Sequence, residues 1–565
     1  MYRLLCALLL VMAWLNPNQF GPWVSWHAEL PVFILVFAVA VLGAWRGGLQ
    51  ADMSLPAPAW LFMGLGLVLA LQFFAGLVVW RGQFWVLAFY LLLIATVITW
   101  GWAESRSASH SPDLQAGAGE WLGWALIAGG LLSVGIALIQ VFQIWEDVSF
   151  VARQPSLRRP GGNMAQPNHL ATLLVMAVGA AFFLHLQRRL SAIVLGLLVL
   201  VFAMGIAITE SRGGLLSMIV LCGLCAWKLP GRFALPWAAA SALTTVTLFL
   251  AWPTLYSWTG VSIGRGADLT RLEASGRDPR WALWQQMLEA SLLKPWFGWG
   301  MRNTAEAHNA VAHEVTSALP VTYSHNLLLD MAVWLGWPIT LILLAVGAVW
   351  AWRRLAKIDR PLGWFGMALL VPFGIHSALE FPFAYAYLLM PAMLGVGYLE
   401  SRSVHEPTAS HSMPRWLLAP LVSLLALLGA WTIHDYTRAE EDFRVARFQL
   451  LRIGPAPTEP PPKLVLLDQL GDLLASMRVP LQKGLDMAQM DALRKAALHY
   501  PWSGSQYRYA TALALNGEPD EARRQLLVLR AQQGDKIYRL LAVQLDADLM
   551  KHGVPVLGVL PEKSP

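Results

Sequence analysis

Apolar runs long enough to cross about 30 Å of hydrocarbon recur along this chain and constrain its fold more than any other feature. Thirteen fall near residues 3–15, 30–45, 58–79, 84–103, 120–142, 168–187, 190–208, 213–228, 234–252, 325–350, 362–379, 384–399 and 415–433. In lipid every backbone amide must find its partner internally, so such runs predict helices. Only 13% of the 565 residues are charged, against about 25% in soluble domains. The expected fold is an all-α polytopic membrane protein of about 13 transmembrane helices. Its 46 Gly and 28 Trp suit close helix packing and interfacial aromatic belts. The first run has one Arg and an apolar core, but no small-residue cleavage site precedes Asn16, so it is expected to stay as a span.

The Lys/Arg bias orients the bundle. With the N-terminus inside, Arg46, Arg106, Arg188, Arg189, Lys228, Arg232, Arg353, Arg354, Arg360, Arg402 and Arg415 fall on short cytoplasmic links. An odd number of spans then places the C-terminal segment outside, in the periplasm of a Gram-negative cell. Two outward loops carry positive charge against the rule. One, near 143–167, holds Arg153, Arg158 and Arg159; the other, 253–324, holds Arg265, Arg271, Arg277, Arg280, Lys294 and Arg302. The latter is too long for a connector. The chain thus divides into N-terminal spans (1–252), a large periplasmic loop (253–324), C-terminal spans (325–433) and a periplasmic helical domain (434–565). Within that domain, residues 506–535 read as two amphipathic helices around Asn516-Gly517-Glu518-Pro519-Asp520, a tetratricopeptide-like hairpin. A Pro-rich break covers 450–464.

Several polar residues stand at the mouths of spans. His325, in TYSHNLLLDMAVWLGWP (322–338), sits at the start of an apolar run. At a helix N-terminus the dipole disfavours an imidazolium, leaving a neutral ring suited to general-base work; the alternative is a capping or interfacial His. Arg212 at a span end either snorkels to headgroups or holds an anion. Arg280 opens a helix expected over 279–292, with Pro279 at its start. Guanidinium forks bind phosphate oxygens in bidentate fashion, and two around a diphosphate can neutralise a leaving group without metal. Salt bridges to Glu210, Glu273 or Asp278 are the other reading. Gln166, Asn168 and His169 either bind a polar headgroup or sugar, or cap the helix beginning near Pro167. Glu380 and Tyr385 lie at an outward turn; a carboxylate at membrane depth is costly and tends to be functional, or it pairs with an arginine already named.

Other chemistries find little support. His308, His313 and Glu314 lack the spacing of a metal-binding H-E-x-x-H, and no phosphate-binding Gly loop, dinucleotide fingerprint or basic–aromatic nucleic-acid signature is present. No metal, no cofactor and no nucleic acid are expected. Cys222 and Cys225 form a C-x-x-C inside an apolar run, where helix packing explains them.

Three segments in this order, ITESRGGLL, RWALWQQMLEASLLKPWFGWG and YSHNLLLDMAVWLGWP, resemble the O-antigen ligase and polymerase superfamily. RRPGGNMAQPNHLATLL, HSALEFPFAYAYLL and the C-terminal helical segment resemble more narrowly the bacterial protein O-oligosaccharyltransferases of the PglL type. The resemblance implies a transferase that moves a glycan from an undecaprenyl-diphosphate donor to Ser or Thr hydroxyls of pilin or another periplasmic protein, at the bilayer of the inner membrane. It implies His325 as the catalytic base and Arg212 and Arg280 on the diphosphate. Gln166, Asn168, Asn326, Glu380 and Tyr385 follow as substrate-binding residues, with Tyr387 an alternative to Tyr385. O-antigen ligases and polymerases share these motifs and remain the neighbouring possibility.

Overall fold

The computed structural model describes residues 2–46, 48, 50, 52–110, 117–144, 149–152, 159–228, 234–258, 279–313, 321–356, 358, 360–400, 410–450, 460–555 and 557. Helices α1 (Tyr2–Leu15) and α2 (Trp26–Trp45) lead into a short strand β1 (Asp52–Pro56). Then come α3 (Ala57–Phe74), α4 (Arg81–His110), α5 (Glu120–Val141), α6 (Pro167–Leu186), α7 (Ala192–Ile208), α8 (Arg212–Lys228) and α9 (Ala234–Trp258). The stretch expected as a large loop contains α10 (Pro279–Leu293) and α11 (Thr304–Val311). After it follow α12 (Leu327–Leu335), α13 (Trp337–Leu355), α14 (Pro361–Ser377) and α15 (Ala386–Glu400). Strand β2 (Ser410–Pro414) precedes α16 (Arg415–Leu450). The chain then forms α17 (Asp468–Ser476), α18 (Met487–His499), α19 (Ser503–Leu515), α20 (Pro519–Gln533) and α21 (Asp535–Lys551).

Every apolar run read from the sequence falls on helix. Among the described residues eight helices, α2 to α6, α9, α13 and α16, are long and apolar enough to cross a membrane, and α1, α7 and α15 are apolar but shorter. The chain is accordingly a multi-pass membrane protein. Three departures from expectation have local causes. The run at 325–350 is not one helix: it breaks at Gly336, whose φ of 78° ends α12. Beyond it, Trp337 N–H bonds to the carbonyl of Pro295 (2.8 Å) rather than to the preceding turn. The run at 415–433 continues as helix to residue 450, because Ala, Glu and Arg favour helix after the apolar pattern stops; the boundary expected at 434 lies inside α16. The otherwise helical chain also holds an antiparallel ribbon in which Asp52 pairs with Pro414 and Pro56 with Ser410. Segments of five residues are too short for periodicity to announce them.

Contacts group the chain into two compact units. The first comprises Met1–Leu67, Ala88–Thr270 and Gly347–Leu427. At its centre α6 is apolar on all sides and buried along nearly its whole length, the pattern of a core helix. It packs on α5, α7, α8 and α14. Buried Cys222 and Cys225 belong to this packing. Helices α14 and α15 approach through glycine: a Cβ on Gly395 would meet the Gly366 carbonyl oxygen at 2.5 Å, and one on Gly366 would meet the Gly395 oxygen at 2.6 Å. Such small-residue contacts let helix backbones approach where lipid offers no hydrophobic drive. Replacing Gly395 by Leu is expected to lower stability by about 1–3 kcal/mol or more, read as a fall in the thermal aggregation midpoint in detergent. Gly347→Ala, with nothing within 4 Å of the new carbon, should leave that midpoint unchanged or raised.

The second unit comprises Val68–Leu87, Arg271–Val346 and Leu428–Pro565. Its first core is formed by Leu283 and Met287 of α10, Val311 of α11, and Leu329 and Val333 of α12. The hairpin read at 506–535 appears as α19 and α20, and with α18 and α21 these helices enclose a core around Leu513, Leu526, Tyr538 and Leu545. Buried Asp435 accepts the backbone N–H groups of Val465, Leu466 and Leu467 at 2.6–3.2 Å, fixing the lead-in to α17. The expected loop and the C-terminal helices are joined through buried polar contacts: Gln532 bonds to His308 (3.0 Å) and Gln525 pairs with Asn309 (3.2 Å).

Candidate active site

His325 lies just outside a helix rather than in its first turn as expected. Asn326 is the N-cap of α12, its side-chain oxygen accepting from Leu328 and Leu329 N–H. His325 itself adopts φ 57°, a left-handed conformation that costs an L-residue roughly 1–2 kcal/mol and persists only when its neighbours enforce it. The neighbours do so on both sides. Before it, Ser324 donates its N–H to Asp330 Oδ1 (2.9 Å), and its carbonyl accepts Trp284 Nε1 (3.1 Å). After it, the Asn326 carbonyl accepts both Asp330 N–H (2.9 Å) and Ser324 Oγ (2.7 Å). The tripeptide 324–326 is thereby clamped with a half-buried imidazole at its middle.

Asp330 anchors that clamp from a site with no solvent exposure. Its Oδ1 also accepts from Thr304 Oγ1 (3.0 Å), which in turn accepts Trp334 Nε1 (2.7 Å). Burial pushes its carboxyl up to about 7, against the pull of the Ser324 and Thr304 donors and of the neighbouring His325. Sequence reasoning passed over this residue. Its signal was present: one carboxylate inside the apolar stretch NLLLDMAVWL, a placement costly enough to need a reason.

Arg280 stands in the first turn of α10, four residues before Trp284 and so on the same helix face. Trp284 in turn donates to the Ser324 carbonyl of the clamp. The loop after α10 adds fixed cations. Lys294 lies 3.9 Å over the Trp299 ring and Arg302 5.9 Å from the Tyr323 ring. Glycines permit the approach: Gly298 (φ 70°) runs against the Val333 and Trp334 backbone, where a Cβ would stand 2.6 Å from the Val333 oxygen.

The remaining residues cluster in the first unit around Asn168. Its Nδ2 donates to Glu380 Oε1 (3.2 Å), and its Oδ1 accepts from Ser211 Oγ (2.7 Å) and from Arg159 (3.5 Å). Arg159 also donates to the Thr209 carbonyl (3.0 Å). Ser211 caps α8 through Gly214 N–H (3.0 Å), setting the exposed Arg212 in the first helical turn. Gln166 serves as the N-cap of α6, accepting from Asn168 and His169 N–H, which is its capping alternative. The buried Glu380 thus ties the late turn to the Arg159 and Ser211 segments through one amide. Tyr385 and Tyr387 differ sharply. Tyr387 is buried with its hydroxyl 3.0 Å from His169 Nδ1, whereas Tyr385 is partly exposed and packs edge-on to the same ring at 4.4 Å.

Arg153, Arg158, Arg265, Arg271, Arg277, Glu273, Asp278 and Glu314 lie outside the described residues. Both ring nitrogens of buried His308 are taken by Gln286 and Gln532 (3.0 Å each), and burial lowers its pKa to about 4. Among the described residues no group of three or more His, Cys, Asp or Glu is placed to hold a metal ion.

A family model described as protein glycosylation ligase matches residues 160–185, the Arg159–Asn168 region. One described as O-Antigen ligase matches 197–344, spanning Arg212, Arg280 and His325. A third, described as virulence factor membrane-bound polymerase, C-terminal, matches 364–546. The chain is 24% identical over 538 residues to the general O-oligosaccharyltransferase of Acinetobacter baylyi, covering 93% of this chain and 91% of the relative. It is 26% identical over 284 residues to the ComP-specific O-oligosaccharyltransferase of the same organism, covering 50% and 51%. The resemblance to protein O-oligosaccharyltransferases, within the O-antigen ligase group, thus extends over nearly the whole chain.

Proposed function

We propose that this chain transfers an oligosaccharide from an undecaprenyl-diphosphate donor to Ser or Thr hydroxyls of periplasmic proteins such as pilin. The reaction takes place on the periplasmic side of the inner membrane. His325 accepts the proton of the attacking hydroxyl, and the hydroxyl oxygen displaces the lipid diphosphate from the sugar's anomeric carbon. Arg212 and Arg280 bind that diphosphate and stabilise its growing charge. A lipid diphosphate already leaves readily, so positioning and fixed positive charge are the main demands. The observation that carries this reading is the His325 clamp: an imidazole held in an unfavourable backbone conformation by Asp330 and by Trp284, on the helix that bears Arg280 in its first turn.

Gln166 and Asn326 contribute mainly by shaping the site, because their amide oxygens are engaged as helix caps. The partly exposed Tyr385 offers a hydroxyl to the substrate, while Asn168 and the buried Glu380, bonded to each other, position the Arg159 and Ser211 segments that bound the site. Tyr385 is preferred to Tyr387, whose hydroxyl is committed to His169.

The deciding assay combines purified protein, lipid-linked oligosaccharide and an acceptor pilin in vesicles, with mass spectrometry of acceptor peptides. A glycan mass on a Ser or Thr peptide is expected. Transfer only to lipid A-core, or onto another lipid-linked glycan, would assign the chain as an O-antigen ligase or polymerase instead. In the same assay Arg280→Lys is expected to lower turnover about 10–100-fold, the value of one or two charge-assisted hydrogen bonds. A point charge on a flexible stem cannot reproduce the planar fork. Full activity in that variant would rule out bidentate binding by Arg280.

A further inference from the structure

We propose that the outward face of α10, with Trp296 and Phe297, lies in the bilayer surface at the N-terminal end of α13. The segment so placed belongs to the stretch that the sequence assigns to a large periplasmic loop.

The exposed residues of α10 do not have the composition of a solvated helix. Trp281, Leu288 and Leu292 recur at spacings of seven and four, which sets them on one stripe, and all three are exposed. Gln285 and Glu289 flank that stripe on one side. The opposite face, Leu283, Met287 and Ala290, fills the core shared with α11 and α12. A short helix with one apolar face buried in protein and another exposed beside polar flanks suits the headgroup boundary. The chain continues with Trp296 and Phe297, 70% and 76% exposed. An exposed cluster of this size needs an occupant.

Continuity with a membrane span identifies the occupant as lipid. The Pro295 carbonyl accepts the N–H of Trp337, the first residue of α13, and Trp337 Nε1 donates to Ser291 Oγ (3.2 Å). A Cβ on Gly336 would stand 2.5 Å from the Trp296 carbonyl oxygen. These side-chain and backbone contacts seat residues 291–297 at the mouth of α13. That helix is the least buried of the eight candidate spans, and its first turns expose Leu341 and Ile342. The lipid-facing surface of the span thus runs on into Trp296 and Phe297. Tryptophan at this level is the usual interfacial anchor, and Lys294 beside it suits anionic headgroups.

One consequence rests on the transferase reading. Arg280 heads a helix lying at phosphate depth, so a membrane-bound diphosphate reaches it without leaving the bilayer surface.

The placement is tested apart from activity by a nitroxide on Phe297→Cys in the full chain, reconstituted in phosphatidylethanolamine–phosphatidylglycerol vesicles. The native cysteines are buried, and Met487→Cys, 90% exposed in the wild type, serves as the aqueous reference. Collisions with oxygen relative to a water-soluble nickel chelate are expected to be several-fold higher at 297 than at 487. Equal ratios at the two positions overturn the proposal. So does a label reached by nickel in vesicles and shielded only when acceptor pilin is added, which assigns the patch to protein. A second arm uses Phe297→Glu. Transfer from the long-chain donor is expected to fall several-fold, with little change for a short-chain, water-dispersed donor. Equal loss with both donors, in a variant of unchanged melting temperature, counts against interfacial delivery. Absence of transfer by the wild type, with the nitroxide result intact, would sink the enzymatic reading alone.

Discussion

Replacing His325 by Ala is expected to lower glycan transfer by about 10²–10⁴-fold, the usual contribution of a positioned general base. The variant should still reach the membrane and melt close to wild type, because the half-buried imidazole fills no core. His325→Gly sharpens the case. Glycine adopts φ 57° freely, so the same loss of transfer should accompany a gain in stability of about 1 kcal/mol. Loss of transfer together with a gain in stability would separate a chemical role for the side chain from a structural one. Pilin mobility in cells and thermal melting of the purified variants read the two quantities. Wild-type glycosylation by either variant would remove His325 from the mechanism.

The second large effect is expected at Asp330. Asp330→Ala leaves the Ser324 N–H and the Thr304 hydroxyl without an acceptor in a site closed to water, a loss of about 2–4 kcal/mol. With the clamp released, transfer should fall about 10–100-fold through kcat, with little change in the KM for donor. Asp330→Asn retains an oxygen at Oδ1 and should restore most of the rate. If Asn is as damaging as Ala, charge rather than the clamp is what Asp330 provides. The carboxyl also predicts a pH dependence. Burial raises its folded pKa to about 7, above an unfolded value of about 3.9, so the folded state binds the extra proton. The stability it contributes is complete below about pH 4 and declines as pH rises through 7. Asp330→Asn should flatten that decline in melting curves recorded across the interval.

Much of this was legible in advance. The apolar helices could be placed from length alone; Gln166, Arg212 and His325 stood out as polar residues at the ends of apolar runs, and Arg280 as the head of a helix opened by Pro279. Asp330 was not singled out, although it lies in the same motif, because its partner Thr304 becomes a neighbour only when α11 and α12 pack. Asn168 appeared as a headgroup ligand or a cap; its role as the link between Arg159, Ser211 and Glu380 requires residues up to 212 positions apart. The choice between Tyr385 and Tyr387 likewise turned on burial, which two tyrosines in one short motif do not reveal.

Which segments form apolar helices could be read from residue order, because hydrocarbon thickness and the need to satisfy each backbone amide act within a single segment. Packing between segments set the break at Gly336 in the run at 325–350, the left-handed turn at His325, and the carboxylate that holds it there. Those outcomes depend on close approaches between distant backbones, such as Trp296 against Gly336, and on buried hydrogen bonds whose partners meet only after packing.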